Sequence, residues 1–183
     1  MHDKKTQTPL HTGELEAQRR FGAEGHWNEH NLGMIRDHLP PAWAAFLEAQ
    51  PFFFIATAND RGDCDCSYRG REFNAAGVPY PLLKVLDAKT LVFPDFSGNQ
   101  LYNSLGNLLV NPRIGLLFVD FRNRARARVN GAAALIEDRH AYEDIWPTAR
   151  RHVRVTVQQA YPNCKARIPR LVPAQPADGW LDD

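Results

Sequence analysis

Three stretches of this chain gather residue types suited to binding an anion. Ser67-Tyr68-Arg69-Gly70-Arg71 closes an extended run with two guanidinium groups, which read either as phosphate partners or as solvated charges at a strand end. Ser97-Gly98-Asn99-Gln100 stands just ahead of a segment with helical periodicity. A helix N-terminus offers free N–H donors and a favourable dipole to an anion, although the same residues also suit an ordinary cap. Arg122, Arg124, Arg126 and Arg128 alternate with neutral residues, so within a strand they form a basic stripe on one face. No aromatic interleaving supports base stacking, and the stripe reads as a solvated or dimer-facing strand. Lys84 interrupts an apolar strand and either snorkels to solvent or faces a phosphate.

Other chemistry is weaker. His26 and His30 are four apart in a predicted helix, but no third ligand accompanies them, so no metal site is expected. The three cysteines, Cys64, Cys66 and Cys164, lack zinc spacing and do not suggest a disulfide framework. Nucleophile elbow, dinucleotide fingerprint and P-loop are all missing from the sequence, and no side chain stands out as catalytic.

The elements that must position these residues are mostly strands. The first 50 residues are polar and helix-prone, with a helix from Pro41 through Ala49. Strands are predicted over Phe52–Ala58 and Asp63–Arg69, joined by the turn Asn59-Asp60-Arg61-Gly62, and over Leu82–Leu86 and Thr90–Phe93. Leu101, Leu105, Leu108 and Leu109 fall at helical spacing between Gly98 and Val110, before Asn111-Pro112. On that helix Gln100 and Asn107 share a face. Asp95, just after a strand, reads as a turn residue. Ile114–Phe121 and Ala125–Ile136 form a second hairpin, Asp138–Trp146 a short helix, and Val153–Tyr161 a last strand. The expected organisation is a helical extension over 1–50, one β domain over 51–170 and an irregular tail over 171–183.

Composition bounds the rest. At 183 residues, 44% hydrophobic and 23% charged, the chain has the size of a single globular core. Its net charge of +1 gives no global attraction to nucleic acid, so an anion site must be local. No apolar run approaches the roughly 18 residues of a membrane span, and no signal-like apolar segment follows the N-terminus; cytoplasmic residence is the expectation.

The ordered set FFFIATANDRGDCDCSYRG, TLVFPDFSGNQ, NPRIGLLFVDF and RVNGAAALIE, spanning Phe52 to Glu137, resembles the FMN-binding split β-barrel family related to pyridoxamine 5'-phosphate oxidase. The resemblance implies a mainly β fold with α elements: a Greek-key split barrel of about six antiparallel strands, an inserted helix and N-terminal helices. It also implies a homodimer with an FMN in each of two clefts between barrels. Ser67, Tyr68 and Arg69 would lie by the flavin, the first two at the ring and the basic residue near the phosphate, with Lys84 a further candidate. The main chain of Phe93, Pro94 and Asp95 would pass the isoalloxazine edge. Asn99 and Gln100 stand where the family's Ser-Arg-Lys phosphate turn carries two basic residues, and Asn107 would face the ribityl chain. Arg128 would reach the phosphate from the partner subunit. Asn163 and Cys164, within Tyr161-Pro162-Asn163-Cys164, resemble a tail signature of one flavoprotein subgroup, although Lys165-Ala166-Arg167 follows where that subgroup has Pro-Arg-Tyr.

The family's C-terminal Arg and His substrate signature is not found in the sequence, which points away from vitamin B6 phosphate oxidation itself. The expected function is an FMN-dependent oxidoreductase passing hydride or electrons to a small molecule. A flavin- or haem-binding sensor without turnover is the alternative, and neither nucleic acid nor a membrane is an expected partner.

Overall fold

The computed structural model describes residues 9–172. The N-terminal extension carries α1 (Thr12–Arg20), α2 (Glu29–Leu32) and α3 (Pro41–Ala49). A capping box between His11 and Glu14 starts α1, which buries none of its own residues. Pro41 begins α3, where a missing N–H costs no hydrogen bond, and Leu47 drives that helix into the core. His26 lies in a turn outside α2, so His26 and His30 do not share a helical face. Among the described residues no His, Cys, Asp and Glu cluster could hold a metal ion.

Seven strands follow: β1 (Phe52–Ala58), β2 (Cys64–Gly70), β3 (Lys84–Asp87), β4 (Thr90–Asp95), β5 (Arg113–Asp120), β6 (Ala125–Ile136) and β7 (Arg151–Pro162), with α4 (Asn103–Val110) between β4 and β5. All pair antiparallel in one sheet of order β2-β1-β5-β6-β7-β4-β3. This is a mainly β split barrel with a few helices. The two long crossings, β2 to β3 and β4 to β5, carry the chain between opposite sides of the sheet.

Strand period explains the core. In β1, Phe53, Ile55 and Thr57 face inward, while Phe52 and Phe54 join Tyr68 and Phe121 in an aromatic patch on the outer face, with centroid separations of 5.3 to 6.3 Å. In β6, Ala127, Val129 and Ala133 point inward. A bulge at Asn130/Gly131 shifts the register against β7. The main core draws on all the inner strands, with α3 and α4 adding Leu47, Leu105 and Leu108.

Two helix expectations need correction. The helix predicted from Gly98 begins only at Asn103, because the Asn99 side chain accepts from Leu101 N and both Gln100 (φ 62°) and Tyr102 (φ 56°) are left-handed. The predicted helix over Asp138–Trp146 is a run of turns: Asp138 turns back to accept from His140 N, and Pro147 ends any continuation. These turns cover a second, small core of Val92, Trp146 and Ala149, packed by Tyr80, Phe96, Tyr142 and Ile145. Trp146 Nε1 donates to Pro81 O at 2.6 Å.

The arginine stripe is also different from the expectation. Arg122 and Arg124 lie in the β5–β6 turn, and only Arg126 and Arg128 lie in β6. Arg124 is exposed, and its Nε donates to Ile168 O at 3.0 Å, tying the turn to the chain beyond β7. No helix among the described residues is long and apolar enough to cross a membrane. Of the predicted tail 171–183, residues 173–183 lie outside the described residues.

Candidate functional site

A cavity of about 420 Å³ opens where the coiled sheet brings β2 opposite the end of β4, with the start of α4 as its third wall. The walls are Ser67–Gly70 from β2, Pro94 and Asp95 from β4, and the continuous segment Phe96–Leu105. A second hollow of about 320 Å³ shares Phe96, Ser97, Gly98, Gln100 and Tyr102 with it and adds Arg150 and Arg151. Such volumes are within the range of small-molecule sites.

The cavity mixes charged and polar groups with aromatic and aliphatic side chains. Arg69 is partly buried; its Nη1 donates to Tyr68 O at 2.9 Å, and among the described residues it forms no ion pair. Burial pushes the guanidinium pKa down, against the opposing pull of Asp95 and then Asp65. Across the cavity Asp95 Oδ2 meets Arg151 Nε at 3.3 Å. Burial pushes the Asp95 carboxyl up, and Arg151 and Arg69 pull it back. Arg151 also lies over the Tyr102 ring, 5.0 Å from its centroid. Arg150 donates from Nε to Ser97 Oγ at 3.1 Å. At the junction of β2 and α4, the Ser67 hydroxyl donates to Asp65 at 2.8 Å and buried Ser104 sits 3.0 Å from Ser67 Oγ.

Seven of the residues singled out in the sequence converge here: Ser67, Tyr68, Arg69, Pro94, Asp95, Asn99 and Gln100. Asp95 is the last residue of β4 and an ion-pair partner, not a turn residue. Gln100 and Asn107 do not share a helical face, since Gln100 precedes the helix; Asn107 Nδ2 donates instead to Thr57 Oγ1 at 3.0 Å. Phe93 alternates away from the cavity into the core, where it is 1% exposed. Lys84 neither snorkels freely nor enters the cavity: its ammonium meets Glu48 at 3.3 Å.

Arg128, Asn163 and Cys164 lie outside the cavity of their own chain. Arg128 packs over Tyr161 at 5.8 Å, while Asn163 N donates to Arg126 O at 3.2 Å. Buried Asn163 Oδ1 has no hydrogen-bond partner. Asp65, Phe96, Tyr102, Ser104, Arg150 and Arg151 went unnoticed in the sequence. The last two reach the site only through the pairing of β4 with β7, which sets Asp95 opposite Arg151.

Residues 39–175 match the profile of the family described as pyridoxamine 5'-phosphate oxidase. The chain belongs to this family. The pyridoxamine 5'-phosphate oxidase family typically binds flavin and has a flavin-binding, oxidoreductase-like fold. HupZ of Group A Streptococcus is similar in structure, with TM-score 0.51 and 16% identity over 68% of this chain and 94% of that one. A protein of Lactobacillus delbrueckii, named as a candidate pyridoxamine 5'-phosphate oxidase, is similar with TM-score 0.50 and 16% identity over 69% and 95% of the two chains. At such identity the likeness establishes the fold. None of the curated proteins matches the chain in sequence.

The cavity's residues are compatible with a flavin, the class of cofactor the family typically binds. A partly buried cation without a direct ion pair and the amides of Asn99 and Gln100 suit a phosphate, and the Ser67 oxygen can accept from a polyol chain. Tyr68 belongs both to the cavity wall and to the aromatic patch with Phe52 and Phe54, so polar and aromatic surfaces adjoin as the two ends of such a molecule require.

Proposed function

We propose that this protein binds FMN and acts as a homodimeric FMN-dependent oxidoreductase on a small molecule. The observation that carries the reading is Arg69: burial disfavours its charge, Asp95 and Asp65 support it without a direct ion pair, and it faces a cavity that also holds the side-chain amides of Asn99 and Gln100. An incoming phosphate would supply the missing partner. Arg69 would hold the phosphate together with the amides of Asn99 and Gln100. Ser67, held in place by buried Ser104, would face the ribityl hydroxyls, and Tyr68 with its aromatic neighbours would cover the ring.

Bound flavin would supply hydride or electron transfer, which accounts for a site without an evident catalytic acid or base. The chain's own task is to orient the cofactor and exclude water from one side. The outer aromatic patch covers only part of a flat ring, which supports a second copy of the chain as the other wall. In that arrangement Arg128, Asn163 and Cys164 would approach the partner's cofactor.

The test is the absorption spectrum of the purified protein followed by anaerobic mixing with NADH or NADPH. Flavin bands that bleach rapidly support the oxidoreductase reading. Flavin bands that persist favour a sensor without turnover, and a Soret band would replace FMN by haem.

A further inference from the structure

We propose that Asp95 makes the anion end of this cavity selective for ligands able to share a proton: a phosphate monoester enters with one proton drawn from solvent, held between its oxygen and the Asp95 carboxylate. The inference rests on the reading of this cavity as the phosphate site.

The argument begins with charge. Asp95 lines the same cavity as Arg69, and its side chain is only 15% exposed. Its cationic neighbours are Arg151 at 3.3 Å on β7 and Arg69 on β2, with Arg150 alongside on the turn before β7. The other acids are Asp65 on β2, which accepts from Ser67 and Ser104, and Glu137 after β6, which lines a hollow with Arg150 and Arg151. From α4 and the segment before it come no formal charges, only the Tyr102 phenol. His152, next along β7, turns to the opposite side and packs against Tyr142 and Trp146.

Three guanidinium groups and three carboxylates therefore stand at or beside the cavity before any ligand arrives, and of these only Arg69 and Asp95 line it. A phosphate dianion placed among them adds two negative charges next to a carboxylate that has little water around it. Burial already holds the Asp95 carboxyl above its usual range, and a neighbouring anion pushes it further the same way. Taking up one proton removes the clash between like charges and creates a hydrogen bond where there was repulsion. The balance is simple: one proton leaves the buffer and bridges the two oxygens, and no covalent bond to phosphorus forms or breaks. A sulfate group is a far weaker base than a phosphate monoester dianion, so it holds a shared proton less strongly and gains less from the same cavity. If Asp95 served only to hold Arg151, the ligand would bind without any exchange of protons.

The experiment is a calorimetric titration of the full chain with FMN and, separately, riboflavin, at about pH 6.5 and about pH 7.5, each in two buffers of different ionisation heat. The expected result is uptake of close to one proton per FMN and none for riboflavin, with FMN affinity rising by up to roughly tenfold per pH unit on acidification. In Asp95→Asn the uptake should vanish. Heats independent of buffer in the unaltered protein overturn the proposal without recourse to a variant. So does uptake that persists in Asp95→Asn, because the FMN phosphate alone would then account for it. Should neither flavin bind, the flavin reading fails on its own, and inorganic phosphate and sulfate decide the role of Asp95. Stronger protection against thermal unfolding by phosphate, lost in Asp95→Asn, upholds it; equal protection by both anions overturns it.

Discussion

Ser104 on the first turn of α4 stands 3.0 Å from Ser67 on β2, hydroxyl to hydroxyl, and both lie within hydrogen-bond distance of Asp65, at 3.2 and 2.8 Å. Through this contact the helix that follows the cavity loop is fastened to an edge strand. Ser104 is 3% exposed, so water cannot replace its bonds. Ser104→Ala should cost about 1.5 kcal/mol, the low end for a hydrogen bond to a charged group. A denaturant midpoint that falls at unchanged slope would show it, and a midpoint equal to that of the unaltered chain would mean the contact contributes nothing.

Much of the barrel is legible in the sequence because its strands are short apolar or alternating runs bounded by turn residues. The run Phe52–Ala58 and the turn at Asn59–Gly62 define the first hairpin, and β5 and β6 announce themselves by length. The site is legible only in part. Ser67 to Arg69 sit on a strand whose neighbours are local, so they are found. Arg151 meets Asp95, and Lys84 meets Glu48, through chain segments distant in sequence, and no local pattern encodes such meetings. The onset of α4 is not legible, because leucine spacing continues through residues whose backbone Asn99 has already turned.

His152 offers a pH-dependent prediction. It is fully buried against Tyr142 and Trp146, and neither ring nitrogen has a well-formed hydrogen bond. Burial pushes its pKa down, opposed by nearby Asp138. The unfolded chain therefore binds the proton more readily, so the stability this residue contributes is present above about pH 6.5 and is lost as pH falls below it, by up to about 1.4 kcal/mol per pH unit. Thermal melts from mildly acidic to neutral pH should show a shallower loss for His152→Phe than for the unaltered chain. Parallel profiles would remove His152 from this role.

Two glycines should respond oppositely to alanine. At the β6 bulge, a Cβ on Gly131 would lie 2.1 Å from Thr156 O, a backbone atom that cannot yield without breaking the strand pairing. On α4, a Cβ on Gly106 would meet nothing within 4 Å. Gly131→Ala should lose at least about 2 kcal/mol, and Gly106→Ala should gain roughly 0.5 to 1 kcal/mol through helix propensity. Equal effects at the two positions, measured by chemical denaturation, would contradict the bulge geometry.

A ligand that binds only the assembled form stabilises that form. If two copies build the flavin site, added FMN should shift a dilution series toward dimer in sedimentation velocity. A monomer saturated with flavin at every concentration would defeat the shared site and leave the barrel intact.

The most direct measurement compares FMN and riboflavin binding to the unaltered chain and to Arg69→Ala by fluorescence titration. Arg69 is the partly buried cation of the cavity, and its guanidinium hydrogen-bonds to a neighbouring carbonyl rather than to a carboxylate. Its loss should weaken FMN by roughly 1.5 to 3 kcal/mol, about ten- to a hundredfold in affinity, while riboflavin binding, which lacks the phosphate, barely changes. Unaltered FMN affinity, or an equal loss for both flavins, would contradict the assignment of this cavity to the phosphate.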